Sequence, residues 1–556
     1  MNFHDKKRDI IAGILIFIIA FFLTADPLIR PGQPATFDGL THITTIAQFY
    51  TGLSSGQFPV VWADGFANYG MPIPLIAHQT TNYVGALVNF VFHDILFSYK
   101  IVFLLGAFLS SFFFYLFLRC YFKPEVAFLG AFFFNFSAYR IINIYIRGAL
   151  PEFFSALFIP LILIGLYLLS KHKTLQGSAL LIVSTALLLF SHPFIFVISL
   201  FLIVPYGLFL LLQQKKKKSF LVVSIISVIL GSGLSAIYAV PLITETKYFY
   251  YGLQSNHLMT NQFLSFNNYF DPNWYYYYKN DVFVRGNFVT PGVVETLTVL
   301  LGVVSIIILF FKKQLRKNSF LLFAVGTSLF VILFTTSVTA PLYQNIDLLG
   351  NIQHPWRLLG ALLFLPPLIL CILVAKTKQP YTSILIIIFV VLLSLIRFPQ
   401  LYGKNYTILP EQSYFFTPDN LHGSVLNTVW TGKTSGYPIK KAKPEIIGGE
   451  GKIVEQTVRN GFRQYKIQAN TSLQMVDYTF YFPGWRVYLD GQKIPIEYQN
   501  PSYRGVITYT VPQGTHDVRL AFEPTKERII GMIISFVFFL ATIIFLFILR
   551  KFSHKK

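Results

Sequence analysis

Charge is scarce in this chain. Of its 556 residues only 12% are Asp, Glu, Lys or Arg, while 54% are hydrophobic; ordinary globular domains carry about 25% charged residues. So little polar surface cannot cover so much apolar side chain in water, and a soluble domain is excluded. Cysteine is almost missing. Cys120 and Cys371 both fall in or beside apolar runs, so no disulfide framework is available to an external domain. Acids are scarcer than bases, 24 against 45, which leaves a net charge of +21. In a soluble protein that excess would suggest nucleic acid. Its placement here gives another explanation.

A membrane-crossing helix needs about 20 mostly apolar residues. Stretches at roughly 10–26, 98–118, 126–145, 150–170, 175–191, 193–212, 219–241, 291–311, 319–336, 356–375, 381–398 and 529–549 qualify. The first follows Lys6-Lys7-Arg8 and could pass for a signal peptide, but no small-residue cleavage site follows it, so it is expected to stay. The bases fall on alternate connections: Lys6, Lys7, Arg8; Arg119, Lys123; Lys171, Lys173; Lys215 to Lys218; Lys312, Lys313, Arg316, Lys317; Lys376, Lys378; Arg550, Lys551, Lys555, Lys556. These seven segments hold 21 of the 45 bases. Their phase predicts one cytoplasmic side carrying both termini, in a multi-pass plasma-membrane protein. The positive excess is thus a topology signal, and no nucleic-acid partner is expected.

Residues 27–97, 242–290, 337–355 and 399–528 then lie outside. The acids outside the C-terminal region and the N-terminal tail map to these loops or the adjoining span ends, with Glu125 the exception. Acidic residues at a bilayer midplane mark ion and proton pathways, and none is expected here, so any chemistry belongs to the outer surface. In the first loop, Leu40, Ile43, Ile46, Tyr50 and Leu53 recur at helical spacing after Asp38, which predicts a helix along the interface. Residues 83–97 are apolar but contain His93 and Asp94, and read as an interfacial or re-entrant helix.

The fold class that follows is an α-helical polytopic membrane protein of about twelve spans with an extracytoplasmic β-sandwich. Residues 1–398 form the transmembrane part, 399–528 the sandwich, and 529–556 a final span with a basic tail. Within 399–528, Val476–Tyr481, Trp485–Leu489 and Val506–Thr510 alternate as strands do, and Asp490-Gly491 is a strong hairpin signal. The sandwich is either a stabilising domain or a carbohydrate-binding module.

Several short motifs occur in a telling order: Asp38 soon after the first span, Gly56-Gln57-Phe58-Pro59-Val60-Val61-Trp62, Tyr69-Gly70-Met71-Pro72, Arg147-Gly148-Ala149-Leu150-Pro151-Glu152, Ser191-His192-Pro193, Pro241 with Glu245, and His354-Pro355-Trp356-Arg357. Together with Phe482–Gly491 and Val511–His516 they resemble the GT-C glycosyltransferases, in particular the YfhO-like branch and the related membrane proteins named after 6-pyruvoyl-tetrahydropterin synthase. The resemblance implies a GT-C-like membrane enzyme that moves a sugar from a polyprenyl-phosphate donor to an envelope glycan, lipid or protein acceptor outside the cytoplasm.

On that resemblance Asp38 is the general base for the acceptor hydroxyl, unless it only caps its helix. Glu152 orients the acceptor or Arg147. Arg147 and Arg357 grip the donor phosphate, with His192 and His354 beside it. The competing readings are an Arg147–Glu152 ion pair, a snorkelling Arg357 and turn histidines. Candidate acceptor or sugar contacts are His42, Asp64, Glu245, Trp274 and Tyr275, the last two alternatively part of an aromatic belt. No cofactor is certain. No D-x-D or E-x-D pair appears in the outer loops, so a requirement for Mg or Mn stays open. Two other functions compete: a lipid-linked sugar transporter or flippase, and a non-catalytic envelope-assembly protein with a glycan-binding domain.

Overall fold

The computed structural model describes residues 3–249, 262–271, 277–279, 282–284, 289–350, 352–403, 405–417, 427–431 and 444–553. Eleven of its helices are long and apolar enough to cross a membrane, and one further pair, Pro124–Asn135 and Ala138–Arg147, is bent by 42° at its junction. A break inside an apolar helix strands backbone groups that lipid cannot satisfy. Here Glu295 Oε1 accepts from the Ala138 N–H at 2.8 Å, and Arg397 Nη2 meets the same carboxylate at 2.7 Å. Three separate segments are thereby pinned at the break. The span expected at 219–241 is also interrupted, with one helix over Lys217–Leu234 and the next over Ala236–Glu245.

The first external loop departs from expectation in one respect. Its helix, Gly39–Ser54, has the predicted stripe, of which Ile43 and Ile46, with Phe49 beside them, are fully buried in protein while Leu40, Tyr50 and Leu53 are half-buried. The reason is the following helix, Gln79–Phe92, which covers them: Phe49 packs edge-on against Tyr83 at 5.0 Å. That second helix carries the exposed apolar residues Leu87, Phe90, Val91 and Phe92, a face suited to a membrane interface. It stops at His93 in a left-handed conformation, and Asp94 then caps the span Ile95–Arg119 by accepting from Phe97 N–H at 2.8 Å.

The C-terminal strands form two antiparallel sheets. One has five strands in the order 492–494, 485–489, 514–522, 462–469, 451–459; the other has three, in the order 506–511, 473–480, 444–448. Tyr465, Ile467, Val487, Val518 and Leu520 from the first share one core with Leu473, Met475, Ile507, Tyr509 and Val511 from the second. This is sheet-on-sheet packing. The Asp490-Gly491 hairpin is present, with both residues at positive φ, as a type I′ turn demands.

The smaller sheet is buried on its other face too. Val476, Tyr478, Phe480 and Val506 pack against Ala63, Phe66, Tyr69, Met71 and Ile73 of the first loop. The motif residues of that loop therefore dock the β-rich domain: Trp62 meets Trp485 edge-on at 5.1 Å and Tyr69 stacks on Tyr478 at 5.6 Å. Gly70, at φ +82°, leaves room for the Trp62 indole, since a Cβ there would lie 2.8 Å from its Nε1. Residues Gln33–Pro34 also pair with Tyr406–Thr407. The domain is fixed to the loop that carries Asp38.

Candidate functional site

Asp38 is positioned by backbone pairing. The N–H of Phe37 donates to the Ile146 carbonyl at 3.2 Å, and that of Asp38 to the Arg147 carbonyl at 2.8 Å. So close an approach needs glycines. Gly148 sits at φ +62°, and a Cβ there would come within 2.2 Å of Thr36 Oγ1 and 2.9 Å of the Gly39 nitrogen. Gly148→Ala is expected to cost roughly 1–3 kcal/mol from backbone strain and overpacking. It should also lower activity by moving Asp38; melting temperature and activity measured on one preparation check both effects. Asp38 stands at the N-cap of Gly39–Ser54, yet its side chain makes no capping hydrogen bond. Capping does not explain the residue. Its charge acts on Tyr99, Arg147 and Arg357.

Arg147 ends the bent pair in a π-helical turn, Asn143–Arg147, a local form common at functional sites. Pro151 then starts the next helix, with Glu152 in its first turn. The turn brings the two charges together: Arg147 Nη1 lies 2.9 Å from Glu152 Oε2, and both side chains are almost fully buried. Arg147 Nη1 also donates to Asn143 Oδ1 at 2.7 Å and, at 3.3 Å, to the Tyr139 hydroxyl, which itself donates to Glu152 Oε1 at 2.5 Å. The Arg147 guanidinium lies over the Trp356 ring, 4.8 Å from its centre. Trp356 stacks on His354 at 5.1 Å and donates its indole N–H to Gln262 at 3.0 Å. Arg357 follows in the same chain segment, and its Nε is buried without a hydrogen-bond partner. The ion-pair reading of Arg147 is thus realised in the geometry, and Arg357 feels the charges of both Glu152 and Arg147.

Histidines close the site on another side. The rings of His78 and His192 stack at 4.2 Å, and His42 lies 6.4 Å from His78. The Nδ1 atoms of His78 and His192 are buried and have no hydrogen-bond partner. Burial, with the nearby His42 and Arg357 charges, pushes His78 down to about 3. Burial, together with His78 and Arg357, holds His192 well below the usual imidazole range. Both are neutral near pH 7. His192 therefore offers hydrogen bonds from a neutral ring.

This has a consequence for stability. Below about pH 6.5 the unfolded chain protonates His78 while the folded chain does not, so stability present above 6.5 is lost as pH falls towards 3. His78→Gln is expected to remove up to about 1.4 kcal/mol of that loss per pH unit below 6.5. Melting curves of the variant and the parent at pH 7 and pH 5 check this.

Two expected sugar contacts lie elsewhere. Asp64 is bound to the fully buried Arg463 and accepts from the Trp62 indole at 2.8 Å, so it joins the first loop to the β-rich domain. Glu245 is buried against Arg528, 2.9 Å away, and accepts from Thr525 at 2.7 Å; it anchors the last helix. The buried Glu245 and the half-buried Asp64 each pair with a buried arginine. Trp274 and Tyr275 fall outside the described residues. His78, Tyr139, Asn143 and Trp356 are site residues that sequence reasoning left without a role. Only Trp356, inside the His-Pro-Trp-Arg motif, carried a usable signal.

Among the described residues no three His, Cys, Asp or Glu side chains gather to hold a metal ion. Of the two site carboxylates, Glu152 is occupied by Arg147 and Tyr139. The charge of Asp38 acts on Arg147 and Arg357, so both site carboxylates face cations of the chain itself.

Comparison with known proteins places the chain. A search of the curated proteins finds no match. Among solved structures, the apo oligosaccharyltransferase of Archaeoglobus fulgidus is similar at 13% identity and a TM-score of 0.39, over 75% of this chain and 57% of that one. The similarity thus takes in little more than half the length of that relative. A family model described as a 6-pyruvoyl-tetrahydropterin synthase related domain, membrane protein, matches residues 81–401. With more than half of its length matched, the chain belongs to this family of membrane proteins.

Proposed function

We propose that the protein is a GT-C-like membrane glycosyltransferase that moves a sugar from a polyprenyl-phosphate donor to an envelope acceptor on the extracytoplasmic face, with inversion. One observation carries the reading: the backbone pairing of Asp38 with Arg147 sets one carboxylate where its charge acts on the buried Arg147 and on the half-buried Arg357. In an inverting transfer the acceptor oxygen attacks the anomeric carbon from the face opposite the phosphate. The carbon–oxygen bond to phosphate breaks, and its electron pair stays on the polyprenyl phosphate. Asp38 takes the acceptor proton. Arg357, with an unfilled buried donor, and Arg147 meet the developing phosphate charge; preorganised cations of this kind are worth most where water is excluded. The Arg147–Glu152 pair holds Arg147 in place, and the neutral His78 and His192 are suited to sugar hydroxyls.

An isoprenoid tail needs an apolar path. A cavity of about 280 Å³ lined by Phe58, Val60, Leu75, Tyr83, Phe190 and Tyr238 lies beside the helix that follows His78 and the one that ends before His192. The basic connections at the other end of the bundle support an outward-facing site. The test uses proteoliposomes containing the protein and a labelled polyprenyl-phosphate sugar. Free polyprenyl phosphate and label in an added acceptor are expected. Movement of intact donor across the bilayer without cleavage would favour a transporter instead.

A further inference from the structure

The second cavity lies at the opposite end of the bundle. The helix Pro193–Leu212 begins next to His192 and ends there; its 20 residues cover about 30 Å, the thickness of a bilayer core. The helix Phe158–Ser170 runs from the neighbourhood of Glu152 to the same place. The turns after these two helices face each other across a space of about 440 Å³. Lys171 and His172 line it from one turn, Lys215 and Lys216 from the other, and no carboxylate lines it.

Its floor is built from ordered groups. The Tyr121 and Tyr206 hydroxyls share a hydrogen bond of 2.6 Å, and the Tyr167 hydroxyl donates to the Cys120 carbonyl at 3.1 Å. Lys171 packs over the Tyr167 ring, 5.3 Å from its centre. Three ammonium groups from two turns thus surround one concavity whose aromatic base lies at the end of membrane-length helices. A general excess of lysine at a membrane surface would not require a pocket.

We propose that this cavity binds the phosphate group of an anionic membrane lipid, with Lys171, Lys215 and Lys216 as its cationic contacts. Basic pockets between membrane helices favour such headgroups, and each nearby Lys adds to the attraction. The site is separate from the candidate transfer site, and its test does not depend on transfer activity.

The test is lipid retention by the purified full chain in native mass spectrometry, with phosphatidylglycerol against phosphatidylcholine of the same acyl chains. The parent is expected to retain phosphatidylglycerol selectively. A K171Q/K215Q/K216Q variant is expected to weaken that retention by on the order of 10²-fold, and K171R/K215R/K216R to restore it. A K312Q/K313Q/K317Q variant, altered at another basic connection, is expected to behave as the parent. Equal loss in both glutamine variants would show diffuse surface attraction and overturn the proposal, as would full retention in the first. Displacement of the lipid by micromolar inorganic phosphate would overturn the lipid assignment in favour of a free anion.

Discussion

Asp38→Asn is expected to lower sugar transfer by roughly 10²- to 10⁴-fold, the usual contribution of a positioned general base, with melting temperature nearly unchanged. The side chain makes no capping bond, so the amide removes little that holds the helix. The N–H that pairs with Arg147 is backbone and survives the substitution. Donor binding should change little, because the phosphate is assigned to the arginines, so the loss should appear in kcat with KM almost constant. Transfer kinetics, with thermal unfolding of the same preparation, separate this outcome from a folding defect. A rise in KM with kcat unchanged would instead assign Asp38 to ground-state binding.

Arg147→Leu is expected to have the largest effect on stability, about 3–5 kcal/mol, because it strands Glu152 as an unpaired buried charge. The Tyr139 hydroxyl would remain as a hydrogen-bonding partner of that carboxylate but would not neutralise it. Adding Glu152→Gln to Arg147→Leu should recover part of the loss, as directly paired groups are non-additive. Transfer should not recover with it, since the Arg147 guanidinium is still missing. Arg147→Lys keeps the charge but not the planar stacking on Trp356. It should fold better than Arg147→Leu and still transfer poorly. Unfolding and transfer measured across these variants distinguish a lock between helix ends from a role in the reaction.

Much of this architecture is legible in sequence for a simple physical reason. Lipid demands long apolar helices, and the basic connections between them fix their phase, so spans can be read locally. The strand at Trp485–Leu489 and the Asp490-Gly491 turn are equally local signals. Arg147 and Glu152 could be paired because both flank one turn. Asp64 and Glu245 could not be placed, because their partners Arg463 and Arg528 lie 399 and 283 residues away. The Gly39–Ser54 stripe identified a helix but not its covering, since a buried face and an interfacial face have the same periodicity. His78 gave no signal of its own; its importance comes from stacking on His192, a contact between a loop and a distant span junction. The docking role of Trp62 and Tyr69 was hidden in the same way, behind partners in the β-rich domain.

The stereochemistry of the product tests the proposed reaction most directly. A single displacement, with Asp38 as base and no covalent sugar–enzyme intermediate, inverts the anomeric centre. NMR of the product from a donor of known configuration should therefore show the opposite anomer. Retention of configuration would contradict the account, because it would require a nucleophile that attacks the sugar before the acceptor does.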